Sequence, residues 1–214
     1  MITSFTADTK AAEKVAGFAG IDHGGAYIGT ITQAEVADST SGATFVELAF
    51  KASEWTLPNS QPEHGEKMSF IRLFVTSKSG ERTFNADILD ALMVVLGIQK
   101  ADAKPMTVWN RDKTKRQGYR LPDLEGKQVG LLLQRQNRIY MDQYGAEKET
   151  YQMNVVTPFD PMTKKCAREI LQQLEATDVD NRLRNLKDRE AQRHAQAQPT
   201  ATSASIDTFE DNPF

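Results

Sequence analysis

Cysteine is all but missing: Cys166 is the only one in 214 residues, which excludes a disulfide within the chain and a zinc site built from several cysteines. Histidine is nearly as scarce. His23, His64 and His194 lie far apart, none at ligand spacing with Cys166 or a carboxylate pair, so no metal site is expected. No apolar run approaches the roughly 20 residues that a membrane-spanning helix needs. The opening "MITSFTADTKAAEKVAGFAG" lacks the basic start, apolar block and cleavage signal of a secretory leader. A cytoplasmic protein with no membrane partner is the expectation. The glycines of "GFAGIDHGG" lead to no Gly-Lys-Ser/Thr, so no phosphate loop is formed. No nucleophile, base and orienting group fall at a spacing that would join them. The expectation is a protein without cofactor and without enzymatic activity.

Excess positive charge is also missing, but only on average. The formal net charge is -3, which gives no bulk attraction to nucleic acid. Between Gln99 and Arg120, however, Lys100, Lys104, Arg111, Lys113, Lys115, Arg116 and Arg120 face only Asp102 and Asp112. The last twenty residues, "AQAQPTATSASIDTFEDNPF", hold three acids and no lysine or arginine. With almost nothing to bury before Ile206, this is the composition of a disordered tail. The chain divides into an N-terminal extension (1–19), a body (20–160), a C-terminal helical segment (161–195) and the tail (196–214).

Within the body the apolar pattern predicts five strands. "AYIGTITQAEVA" (26–37) and "ATFVELAFKA" (43–52) flank the turn-rich "DSTSG", and "KMSFIRLFVTS" (67–77) is the third. Next comes a helix with Asn85 as cap, Asp87 in its first turn, an apolar stripe of Ile88, Leu92, Val95 and Leu96, and Gly97 as terminator. A long basic loop separates it from a second hairpin, "KQVGLLLQRQNRIY" and "ETYQMNVVTPF". Asp160 then caps a helix beginning at Pro161 and running to about Ala176, resuming after Asp178. A mainly β fold of three strands, a helix and a strand hairpin has the order of an OB-fold, a five-stranded Greek-key barrel that binds oligonucleotides.

The third strand carries the most informative pattern. At a period of two, Ile71, Leu73 and Val75 form one face and Phe70, Arg72 and Phe74 the other. Single-stranded nucleic acid presents flat bases and charged phosphates, so rings and cations side by side on one strand face suit it. Phe45 and Lys51, with Glu47 and Ala49, extend this surface on the second strand. The competing expectation is that the rings pack under the helix or a loop as ordinary core. In the basic loop, Trp109 and Tyr119 are interleaved with Arg111, Lys113, Lys115, Arg116 and Arg120, a mixture suited to closing over a bound strand or, in the plainer reading, a solvated connection. Arg135, Arg138 and Tyr140 repeat the mixture in the last hairpin.

The chain ends "FEDNPF", two acids followed by Pro213 and a terminal Phe214. A partner protein can take Phe214 as an apolar anchor and meet its carboxylate with a basic residue. This ending resembles the acidic tip of bacterial and phage single-stranded DNA-binding proteins. "LPDLEGKQVGLLLQRQ" (121–136) followed by "YQMNVVTPFDPMT" (151–163) is similar to a stretch of phage-encoded members of the OB-fold type. The resemblance implies binding of single-stranded DNA without base preference during phage replication or recombination, in the cytoplasm of a bacterial host. It also implies recruitment of replication or recombination proteins through Phe209, Glu210, Asp211, Pro213 and Phe214, the tail departing from the family in its few acids and in Asn212. Oligomeric state stays open, a homo-oligomer included. Two rivals differ in class: a nuclease or recombination enzyme on the same scaffold, and an adaptor that docks protein and never touches DNA.

Overall fold

The computed structural model describes residues 19–109, 115–141, 144 and 146–191. The terminal extension as far as residue 18 and the whole predicted tail lie outside them. The chain is mainly β, and its strands form one sheet. Strands β2 (Gly25–Asp38), β3 (Thr44–Thr56) and β4 (Glu63–Phe74) make an antiparallel meander. Gly42 closes the first turn at φ 86°, where a side chain would be strained. The two-residue β1 (Ala19–Gly20) runs parallel to β4 at Lys67 and Met68. After helix α1 (Phe84–Val95) come β5 (Lys104–Trp109) and β6 (Lys115–Arg120), then the long hairpin of β7 (Gln128–Met141) and β8 (Glu147–Phe159).

Two corrections concern the strands. The expected basic loop between the helix and the last hairpin is largely an antiparallel ribbon of β5 and β6, whose end docks on β2 through Glu35 opposite Arg120 and Val36 opposite Tyr119. Pairing satisfies backbone groups that a loop of that length would leave to solvent. The sheet is also open. β7 joins β2 on one edge and β8 on the other, but no ladder connects β4 with β8 among the described residues, so a closed five-stranded barrel is not formed there. β1 takes part of the free edge of β4, and α1 lies against β8.

Bulges set which residues face inward. In β2 an extra residue, Thr32, falls between the pairs Ile31–Phe50 and Gln33–Ala49. It turns Ala34 to the core and Gln33 and Glu35 outward. In β3 the extra residue is Ser53, after which Trp55 is buried while its indole N–H donates to Glu63. Core side chains come from β2 (Tyr27, Ile31), β3 (Val46, Leu48, Phe50), β4 (Ile71, Leu73), α1 (Ile88, Leu92) and the last hairpin (Leu131, Leu133, Val155). Gly130 is part of this packing: a Cβ there would lie 2.1 Å from the Phe159 ring. Gly130→Ala is therefore expected to cost roughly 1–3 kcal/mol of stability as an overpacked core position. An unchanged midpoint in chemical denaturation would show that the Phe159 ring has room to move.

The helices begin at positions other than the expected ones. Thr83, not Asn85, is the N-cap of α1, its hydroxyl donating to the Phe74 carbonyl, while Gly97 at φ 67° ends the helix as predicted. The continuous helix from Pro161 is not formed. Asp160 instead accepts from the N–H groups of Met162 and Thr163 in a tight turn, and Lys164 at φ 58° forbids helical continuation. The helices there are α2 (Ala167–Leu171) and α3 (Asp178–Arg184). No helix among the described residues is long and apolar enough to cross a membrane.

Candidate nucleic-acid interface

On β4 the two-residue period holds throughout the motif. Ile71 and Leu73 are fully buried, Val75 packs at the core's rim, and Phe70, Arg72 and Phe74 face outward. Phe70 is 63% exposed and Phe74 37%, so neither ring is ordinary core. Cross-strand register builds the rest of the surface in rows. Phe74 stands opposite Phe45, Arg72 opposite Glu47, Phe70 opposite Ala49 and Met68 opposite Lys51. The Phe74 and Phe45 rings pack tilted at 52° with centroids 5.5 Å apart, a favourable aromatic geometry. The Arg72 guanidinium lies 4.9 Å above the Phe45 ring. Phe70, opposite Ala49, is the more exposed of the two rings.

The charges are distributed differently from the expected open cation set. Arg72 Nε is 2.5 Å from Glu47 Oε2, and Lys51 Nζ is 2.7 Å from Glu66 Oε1. Arg116 reaches back from β6 to pair with Glu35, which is only 7% exposed. Arg120 is held 2.7 Å from Glu125, whose carboxylate also accepts the Ala34 N–H, so it ties the ribbon to β2 rather than standing open. Tyr119 is exposed, but its register opposite Val36 puts it on the other face of the ribbon from Arg116 and Arg120. Trp109 and Lys115 end β5 and β6 opposite each other, and Arg111 and Lys113 lie outside the described residues.

The predicted residues of the last hairpin form a separate group. Arg135 is an anchor of the fold: it donates to Asn137 and to the Asp22 carbonyl, with its guanidinium 4.4 Å from the Tyr151 ring centre. Arg138 and Tyr140 are exposed on the opposite face of β7, opposite Thr150 and Lys148. That face also carries an amide cluster, in which Gln136 Oε1 accepts from Gln152 and Asn154. The partner-binding residues Phe209 to Phe214 lie outside the described residues.

The structure thus brings Phe45, Lys51, Phe70, Arg72, Phe74 and Arg116 to one side of the sheet and puts Arg138 and Tyr140 on an extended arm. Residues that the sequence pattern did not single out are the acids Glu35, Glu47 and Glu66, each seated on a predicted cation. Glu47 was readable as a neighbour of Phe45 and Lys51. Its pairing with Arg72 follows only from register. Chemically the face offers free aromatic surface beside guanidinium groups that already hold carboxylates. No protein-family model matches this sequence, and no curated protein matches it.

Proposed function

We propose that the protein binds single-stranded DNA without base preference, laying the strand over the outer face of β3 and β4 with bases stacked on Phe70 and Phe74. The exposure of these two rings on either side of Arg72, in a strand whose other face is buried, carries the reading. Stacking contributes about 1–3 kcal/mol per base and tolerates any sequence, because every base has a π-face. The strand pairings agree with a partly open OB-type barrel. Counting β2, β3, β4, β7 and β8 as its five strands, the ladders β2–β3, β3–β4, β2–β7 and β7–β8 are present and α1 falls between the third and fourth. In that fold the second and third strands and the loop between the fourth and fifth bind oligonucleotides. Phe45, Phe70 and Phe74 occupy the former, and Arg138 and Tyr140 flank the latter.

The biological setting we infer is protection of exposed strands in phage DNA replication or recombination, with partner proteins docking on Phe209 to Phe214. This part rests on the resemblance of the chain's ending and of its last hairpin to that family.

Titration of fluorescent oligo-dT at two salt concentrations tests the reading. Binding is expected, with log affinity falling by about 0.7 per tenfold rise in salt for each phosphate neutralised. Absence of oligo-dT binding at low salt overturns it. The adaptor reading has one observation in its favour, the pairing of Arg72, Lys51 and Arg116 with acids, which leaves a largely neutral face. Its mark would be capture of a protein partner with no response to oligo-dT.

A further inference from the structure

Cross-strand register sets Arg72 on β4, Glu47 on β3 and Glu35 on β2 in one row of the outer face. The row continues on β6 with Arg120, which is held by Glu125, while Arg116 reaches over from the same face of β6 to pair with Glu35. Glu47 and Glu35 stand directly opposite each other. Like charges in that position oppose strand pairing, so the arrangement is tolerable because a guanidinium sits at each end of the pair. Burial of Glu35 sharpens the point, since a carboxylate taken from water needs its cation.

We infer that Glu47 and Glu35 are specificity-determining residues of the binding face, built-in competitors that occupy the places where phosphates would meet Arg72 and Arg116; this rests on the DNA-binding reading above. A phosphate arriving at Arg72 has to share the guanidinium with the Glu47 carboxylate, which lies on Nε, or displace it and leave two glutamates facing each other with less compensation. The phosphate term is therefore held down at the centre of the face, while stacking on Phe70 and Phe74 is untouched. A ligand offering accessible bases is retained, and one offering only phosphates gains little.

The test compares wild type with Glu47→Gln, Glu35→Gln/Glu47→Gln and Glu175→Gln by oligo-dT titration across a salt series. Glu175 is an exposed acid between α2 and α3, and its change alters net charge by the same amount as Glu47→Gln. Releasing Arg72 from an exposed ion pair is expected to tighten binding about threefold to fivefold. It also steepens the log–log salt slope by about 0.7, and by about 1.4 in the double variant. Glu175→Gln leaves both as in wild type. Circular dichroism on every variant establishes that the sheet is intact, and the single Glu47→Gln variant, at a half-exposed site, carries the test if loss of buried Glu35 unfolds the protein. Unchanged or weaker binding by folded Glu47→Gln, with wild type binding normally, overturns the inference and makes the acids plain sheet-stabilising partners. No binding by wild type overturns the DNA-binding reading itself.

Discussion

Phe70→Ala is expected to weaken oligo-dT binding by roughly fivefold to a hundredfold or more, the range that corresponds to losing one stacked base at about 1–3 kcal/mol. The fold is expected to survive unchanged, because a ring 63% exposed adds little to the core and has only Ala49 opposite it. Phe74→Ala should lose a similar amount of affinity together with some stability, since that ring also packs on Phe45. Among candidate contacts the rings dominate on magnitude: exposed ion pairs are worth about 0–1 kcal/mol, less than one stacked base. Anisotropy titration beside thermal melting reads both quantities. A Phe70→Ala protein that melts like wild type and binds oligo-dT equally well would remove the stacking face from the mechanism.

The second large effect concerns stability and lies away from this face. Glu169 is buried and bridges α2 to α3. One carboxylate oxygen accepts the Cys166 N–H at 2.9 Å, and the other accepts those of Thr177 at 2.7 Å and Asp178 at 2.8 Å. Burial alone would raise its pKa, but these donors outweigh burial and hold it at about 2. A depressed folded-state pKa means stability that is complete above the unfolded value of about 4.5 and is lost as pH falls toward 2. Across that window the loss amounts to about 3 kcal/mol. Glu169→Gln keeps the shape but has one acceptor oxygen where two are used, and it turns an amide donor toward backbone N–H groups. It is expected to lower stability at pH 7 by about 2–3 kcal/mol and to flatten the acid limb between pH 5 and 2. Denaturant melts of both proteins at pH 7 and pH 3 measure this. An equal acid response in the two would show that Glu169 is not the group responsible.

How far these features were legible depends on the range of the interaction that sets them. The outward placement of Phe70, Arg72 and Phe74 follows from the period of a single strand, and the core positions Val46, Leu48 and Phe50 follow in the same way. The ribbon of β5 and β6 was hidden because its charge density reads as a solvated loop and its docking strand, β2, is distant in the chain. The Cys166 to Glu169 capping box was hidden behind Asp160 and Pro161, which look like a helix start but form a turn.

Glu35 shows where sequence reading stops. Counted by simple alternation from Tyr27 and Ile31 it belongs to the core face, and only the bulge at Thr32 turns it outward. Its partner, Arg116, is 81 positions away. Taken alone, the order of residues determined which strand faces are apolar and which carry rings and cations, because neighbouring peptide units impose that alternation locally. Tertiary structure decided which acids neutralise those cations, that the sheet stays open between β4 and β8, and that no described element covers Phe70 and Phe74 as core. Those outcomes depend on register, bulges and strand docking between distant segments, and no local period encodes them.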